Sequence, residues 1–215
     1  MLFRSGQVLL EIDEVDMAVL AAPRADGPII SRLFGLEWEP TKLEPTDAKL
    51  GALLVIGDPE LLAGLPAETH RQVLGTGDIA ALRDELARKD AAWDAIAVVC
   101  PPRSVDEALS DVEQLEVAKS RTLLVADIVR TVSQVGTRNS PRLWIVTRGA
   151  QQVEPSDGIT LTQAELRGIS RVLTFEHPEL RPTTVDVDAE GSASADALVT
   201  ELLAGAEHEI GRAHV

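Results

Sequence analysis

PRLWIVTRGA, Pro141–Ala150, is the stretch that decides the fold. Leu143–Val146 is a continuous apolar run, and Thr147, Arg148 and Gly149 close it. A buried parallel strand ends in this way at the rim of a nucleotide-binding sheet. A long helical pattern precedes it, so strand and helix alternate around this point.

The same alternation extends both ways. Upstream, apolar residues at 105, 109, 112, 115, 118, 125, 128, 132 and 135 predict one long helix over Ser104–Val135. Trp93–Cys100 reads as a buried strand stopped by Pro101 and Pro102, and Gly51–Gly57 as another, with a short helix after Pro59. Between them Asp78–Lys89 has an acidic N-cap and apolar positions Ile79, Leu82 and Leu86, an amphipathic helix. Downstream, Thr162–Phe175 is predicted to be a helix capped by Thr162 with Glu165, stopped at His177-Pro178. Thr183–Val187 follows as a strand and Ser194–Leu203 as a closing helix. Arg32–Lys42 reads as a further strand ended by Pro40. The fold class expected is α/β, a parallel sheet flanked by helices.

Composition narrows the function. A chain of 215 residues with 45% hydrophobic content can bury a substantial core. Its formal charge of −15 argues against a nucleic-acid partner. No apolar run approaches the roughly 20 residues of a membrane helix, and no signal peptide is visible, so no membrane partner is expected. The single cysteine, Cys100, leaves neither an internal disulfide nor a zinc cluster. A cytoplasmic setting is the expectation. The ends are expected to be foreign: Ile210–Val215, IGRAHV, translates a common sequencing-adapter string, and Leu2–Ser5, LFRS, its complementary end.

The search for chemistry finds no catalytic, cofactor-binding or metal residue. A dinucleotide fold needs glycines after its first strand, where the pyrophosphate meets a helix N-terminus. That turn here is GDPELLAG, 57–64, in which Asp58 and Glu60 would face the phosphates and Gly57 serves as a strand stop. Reduction on such a sheet needs a phenol beside a lysine, and the chain has no tyrosine. Lys119 reads as a solvated cation beside Glu116. His70, His177, His208 and His214 show no metal-ligand spacing, and His177 in FEHPE reads as a side-chain cap to nearby backbone. Cys100 reads as a small core residue, and no serine stands in a GxSxG turn. Asp186 and Asp188 read as a solvated strand end, and Trp38, Trp93 and Trp144 as packing residues.

Taken together, WIVTRGA (144–150), LTQAELRGISRVLTFEHPEL (161–180) and VDVD (185–188) resemble the structural subdomain of the ketoreductase region in bacterial type I modular polyketide synthases. LFGLEWEP, 33–40, is similar to the strand that opens that subdomain, and the likeness runs over about 31 to 207. Leu166-Arg167 departs from it, where family members often place a tryptophan before the glycine. Gln7–Leu20 resembles the last strand of a dehydratase domain.

The resemblance implies a truncated Rossmann-like, short-chain-reductase-like sheet that is itself non-catalytic. NADPH, serine, tyrosine and lysine would belong to a catalytic half downstream. The implied organisation is 1–20 as adapter-derived start and dehydratase strand, 21–30 as linker, 31–209 as the structural subdomain, and 210–215 as adapter read-through. The implied partners lie in the same polypeptide: the catalytic ketoreductase half, an upstream dehydratase and, in modules that carry one, an enoylreductase. Leu123, Leu124 and Val129, with Ile169 and Leu173, are the residues expected to offer a contact face. Two readings compete: a free-standing acidic α/β protein with a hydrolase- or transferase-like site, and an acidic interaction module.

Overall fold

A computed structural model describes residues 2–4, 7–10, 49–88, 92–136, 139–153, 157–189, 195–204 and 212–213. The chain divides into two units, Met1–Leu36 and Glu37–Val215. In the first, β1 (Leu2–Arg4) and β2 (Gln7–Leu10) pair antiparallel, Phe3 opposite Val8 and Arg4 opposite Gln7. The expected strand over Gln7–Leu20 is seen to Leu10. Its remainder, the linker at 21–30 and the strand at Arg32–Lys42 with Trp38 lie outside the described residues.

In the second unit, β3 (Ala52–Gly57), β4 (His70–Leu74), β5 (Ala95–Val99), β6 (Arg142–Arg148) and β7 (Thr183–Val187) form a parallel sheet in the order β4-β3-β5-β6-β7. A two-residue strand, β8 (Arg212–Ala213), pairs parallel to β7. The apolar runs read from the sequence are the central strands, and their residues alternate between two cores as the pleat requires. Leu54, Ile56, Ile96, Val98, Leu143 and Ile145 face a core closed by α1 (Ile79–Ala87), α3 (Asp111–Val135) and α5 (Leu166–Glu176). Leu53, Val55, Ala97, Trp144, Val146 and Val185 face the other, closed by a 3₁₀ turn at Glu60–Leu62 and by α6 (Ala195–Ala204) through Leu198 and Leu202. No helix among the described residues is long and apolar enough to cross a membrane.

The structure departs from the sequence expectations in several places. Strand β4 has no apolar signature, because His70, Arg71 and Val73 are exposed on an edge and only Leu74 is buried. Its pairing with β3 rests on main-chain bonds that hydrophobic patterning does not register. The single helix over Ser104–Val135 is two, α2 (Arg103–Glu107) and α3. The break is at Ser110, whose N–H (2.8 Å) and Oγ (2.6 Å) both donate to the Glu113 carboxylate, the S-x-x-E signature of a helix start.

The helix over Thr162–Phe175 likewise divides, into α4 (Leu161–Ala164) and α5. Thr162 is buried inside α4 rather than capping it, and Glu165 accepts from Thr122 Oγ1 (3.1 Å) on α3. The expected contact face is also only partly exposed. Val129 and Leu173 belong to the core, Leu124 and Ile169 pack against it, and Leu123 alone of the five faces solvent. The apolar residues exposed on these two helices are Val112, Leu115, Leu123, Val172 and Phe175, the last at 85%.

Candidate functional site

Beyond β3 the chain passes to β4 on one side, while β5 lies on the other. The crevice at the carboxyl ends of β3 and β5 is therefore the switch point, where open α/β sheets take their ligands. Gly57 closes β3 at φ 106°, and a Cβ there would lie 2.2 Å from the Val99 carbonyl oxygen, so glycine is required by close approach as well as by conformation. The Asp58 N–H donates to that same oxygen at 3.1 Å, and Asp58 Oδ1 accepts the Glu60 N–H at 3.0 Å. Only the three-residue 3₁₀ turn follows, with the Leu62 N–H bonded to Pro59 O and the Ala63 N–H to Glu60 O, both at 3.1 Å. The helix N-terminus that would receive a pyrophosphate is not built here.

Arg148 fills the crevice instead. It leaves the end of β6 with 3% exposure and crosses the end of β5. Its Nε–H donates to Cys100 O at 2.9 Å and its Nη2 to Asp58 Oδ2 at 2.5 Å. Its backbone N–H donates to Gln163 Oε1 at 2.8 Å, and Gln163 Nε2 in turn to Pro101 O at 3.1 Å. From sequence, Asp58 reads as a carboxylate that would repel phosphate. The structure gives that charge a partner from a strand 90 residues away in sequence, an ion pair that no local pattern announces.

Next to this pair lies a buried carboxylate, Asp106 of α2, with 3% exposure. Arg121 of α3 grips it with Nη1 (2.7 Å) and Nη2 (2.9 Å), and Thr162 Oγ1 (2.5 Å) and Gln163 Nε2 (3.3 Å) also donate to it. Burial alone would raise its pKa. The bonds from Arg121 and Thr162, the Arg121 charge and the Gln163 amide outweigh burial and hold the carboxyl below its ordinary value.

Asp186 corrects the reading of a solvated strand end, for it is 3% exposed. Its Oδ1 accepts from Thr147 Oγ1 (2.7 Å) and the Ala150 N–H (2.9 Å), and its Oδ2 from the Gln151 N–H (3.0 Å). Here burial wins, and the carboxyl is raised despite those three donors, with the charge of Asp157 adding to the rise. The turn after β6 thus wraps a buried acid. Gly149 makes the wrap at φ 61°, its N–H donating to Val187 O (2.8 Å) and its carbonyl accepting from the Thr160 N–H (2.7 Å). Asp188 is half-buried just beyond the strand.

The other candidates stay apart from this rim or serve packing. His177 does not cap backbone with its ring: Nδ1 pairs with Glu179 Oε1 at 3.0 Å, and it is the backbone N–H of His177 that closes the helix, on Leu173 O at 2.8 Å. Cys100 is in the core, its thiol pushed up to about 12 by burial. Lys119 is exposed and pairs with Glu116 at 3.6 Å. Trp93 stacks on His70 with centroids 5.4 Å apart, and Trp144 lies beneath the Arg142 guanidinium at 4.1 Å. Among the described residues, no group of three His, Cys, Asp or Glu could hold a metal ion. Asp58, Asp106 and Asp186 all accept from donors of their own chain.

Comparison with known proteins gives the chain its relatives. Residues 36–211 match the family described as "Polyketide synthase extender module SpnB, Rossmann fold domain". Over 212 residues the chain is 50% identical to a phenolphthiocerol/phthiocerol polyketide synthase of Mycobacterium tuberculosis, covering 94% of this chain and 10% of that protein. Over 69 residues it is 44% identical to a phthioceranic/hydroxyphthioceranic acid synthase of Mycobacterium bovis, covering 32% of this chain and 3% of that one. The chain thus spans a tenth or less of these relatives. Among solved structures, an A-type ketoreductase from a modular polyketide synthase aligns with a TM-score of 0.53 at 27% identity, over 78% of this chain and 37% of that one. A small-chain dehydrogenase aligns with a TM-score of 0.52 at 14% identity, over 77% of this chain and 95% of that one, a likeness of fold alone. The Rossmann-like sheet, its ketoreductase-like order of elements and the match over 36–211 agree: the chain belongs to the Rossmann fold domains of polyketide synthase extender modules.

Proposed function

We propose that this segment is the non-catalytic structural half of a ketoreductase region in a type I polyketide synthase, against which a catalytic half packs. The observation that carries the reading is the switch-point crevice, occupied by the Arg148–Asp58 ion pair and lacking a following helix. A dinucleotide would have to break a part-buried charge pair and would meet Asp58 and Glu60 with its phosphates. The absence of tyrosine from the whole chain removes the usual proton donor. The alignment with the ketoreductase adds a matter of size: this chain spans 37% of it, leaving room there for a second half.

On this reading NADPH and the reduction belong to the catalytic half, and the parent is an acyl-chain-building multienzyme. The dehydratase upstream and, in modules that have one, an enoylreductase are further partners in the same polypeptide. The outer faces of α3 and α5 supply the contact, through Val112, Leu115, Leu123, Val172 and Phe175, the large apolar side chains these two helices leave exposed. Titrating the isolated chain with NADPH, followed by nucleotide fluorescence, tests the proposal. No saturation is expected, and saturable micromolar binding refutes it. Adding the catalytic half in trans should raise the melting temperature of the mixture by mass action.

A further inference from the structure

Of the described glycines, Gly168 alone lies within a helix, in the first turn of α5. Its backbone is not among those with positive φ, and a Cβ built on it would meet no atom within 4 Å. Any L-residue fits there, and alanine would hold the helix better, because glycine loses more chain entropy on folding. A glycine that serves neither a turn nor the packing of its own chain is left with one use, close approach by something outside the chain. The side chains around it shape a notch. Arg171, Val172 and Phe175 follow at i+3, i+4 and i+7, so they share its face and lean back toward it. Val172 is 50% and Phe175 85% exposed, yet neither comes within 4 Å of the Gly168 Cβ position. They wall the notch without filling it. The charge of Arg171 bears on Arg167, one turn earlier, a like-charge pair that costs the helix and that an outside carboxylate would offset.

We propose that Gly168 is the point at which a helix of the catalytic half crosses α5, with a carboxylate of that helix set against Arg171. The inference rests on the reading that a catalytic half packs on this face. Packed helix axes lie about 8–10 Å apart, and the side chains at the contact set the distance. With hydrogen alone at position 168, a crossing backbone reaches the low end of that range. The i, i+4 ridge that runs on to Val172 is interrupted at Gly168, and a ridge of a second helix fits such a gap. Val172 and Phe175 then close on the flanks of the crossing helix and lose the exposure they have in the isolated chain.

The test uses the full chain, melted alone by circular dichroism and titrated with the catalytic half of the same synthase by calorimetry. Gly168→Ala should act in opposite directions in the two measurements. Alone, its melting temperature should rise by about 1–4 °C. Its association with the catalytic half should weaken by roughly tenfold, because the added Cβ overpacks the crossing. Gly168→Leu should weaken association by roughly a hundredfold, and Arg171→Glu by roughly tenfold. Gly77→Ala, equally open but in the turn before α1, is the control and should bind as wild type does. Should Gly168→Leu fail to fold, Gly168→Ala alone carries the expectation. A fall in the melting temperature of Gly168→Ala overturns the inference, since the glycine would then serve its own chain. Undiminished association of that variant overturns it as well, as does an equal loss in Gly77→Ala. Undiminished association of Arg171→Glu removes the carboxylate. A wild-type chain that does not bind the catalytic half refutes the reading beneath the inference, and the inference with it.

Discussion

Replacing Asp106 with alanine is the sharpest test of what holds this rim together. The carboxylate is 3% exposed and accepts both Arg121 Nη groups, at 2.7 and 2.9 Å, besides Thr162 and Gln163. Removing it leaves a guanidinium with 15% side-chain exposure stripped of its carboxylate. Breaking a buried pair from one side costs about 3–5 kcal/mol. The residual exposure and the bond from Arg121 Nη1 to Thr162 O at 3.3 Å favour the lower end, about 3 kcal/mol. For a chain of this length that corresponds to a fall of roughly 6–12 °C in melting temperature. A thermal melt by circular dichroism measures it. The cycle is completed with Arg121→Met and the double variant, which removes the stranded charge and should melt above Asp106→Ala alone. The reasoning fails if Asp106→Ala melts within about 2 °C of wild type, or if the double variant melts below it. Because the Asp106 carboxyl sits below its ordinary 3.8 when folded, its contribution is present above that pH and lost as pH falls through the depressed value. The difference between wild type and Asp106→Ala should therefore shrink in acid.

Asp186 should show the opposite sign. Its folded-state pKa is raised above 3.8, so its contribution is greatest below that value and declines as pH rises through the folded pKa. Asp186→Asn should flatten this decline in a series of melts; an unchanged slope counts against burial as the dominant cause. Cys100, with 4% exposure and a thiol pushed up to about 12, should resist a disulfide reagent at neutral pH and react at once in denaturant. Rapid labelling of the folded chain contradicts that. Phe175→Asp, at a side chain 85% exposed, should leave the isolated chain within about 0.5 kcal/mol of wild type. It should also weaken association with the catalytic half in a pull-down of the two; equal association moves the interface elsewhere.

The central strands were legible because both faces of the sheet are covered. Gly51–Gly57, Trp93–Cys100 and Arg142–Val146 are apolar runs that only a doubly covered parallel strand explains, and the structure builds β3, β5 and β6 from them. Strand β4 was hidden by being on an edge, where polar side chains face water and the backbone alone carries the pairing. The divided helices had readable signals. Ser110 with Glu113 is a capping pair, and a continuous apolar stripe masked it. The rim was the least legible part. Arg148 with Asp58 and Thr147 with Asp186 join positions 90 and 39 residues apart, so the fate of each charge depends on the finished topology. That is why Asp186 reads as solvated in the sequence when it is buried in the fold.

The roof over one side of the sheet has a consequence for how the chain is made. Trp144, Val146, Ala97 and Val55 are covered in part by Leu198 and Leu202 of α6, since only a single 3₁₀ turn follows β3. Chains emerge from the ribosome N-terminus first, so the sheet's main strands are complete well before their last cover exists. The opposite side, under α1, α3 and α5, can close as those helices appear. One side of the nascent sheet therefore stays sticky until α6 has been synthesised. During synthesis that uncovered face is where a chaperone would bind, and where a stalled or truncated chain would begin to aggregate.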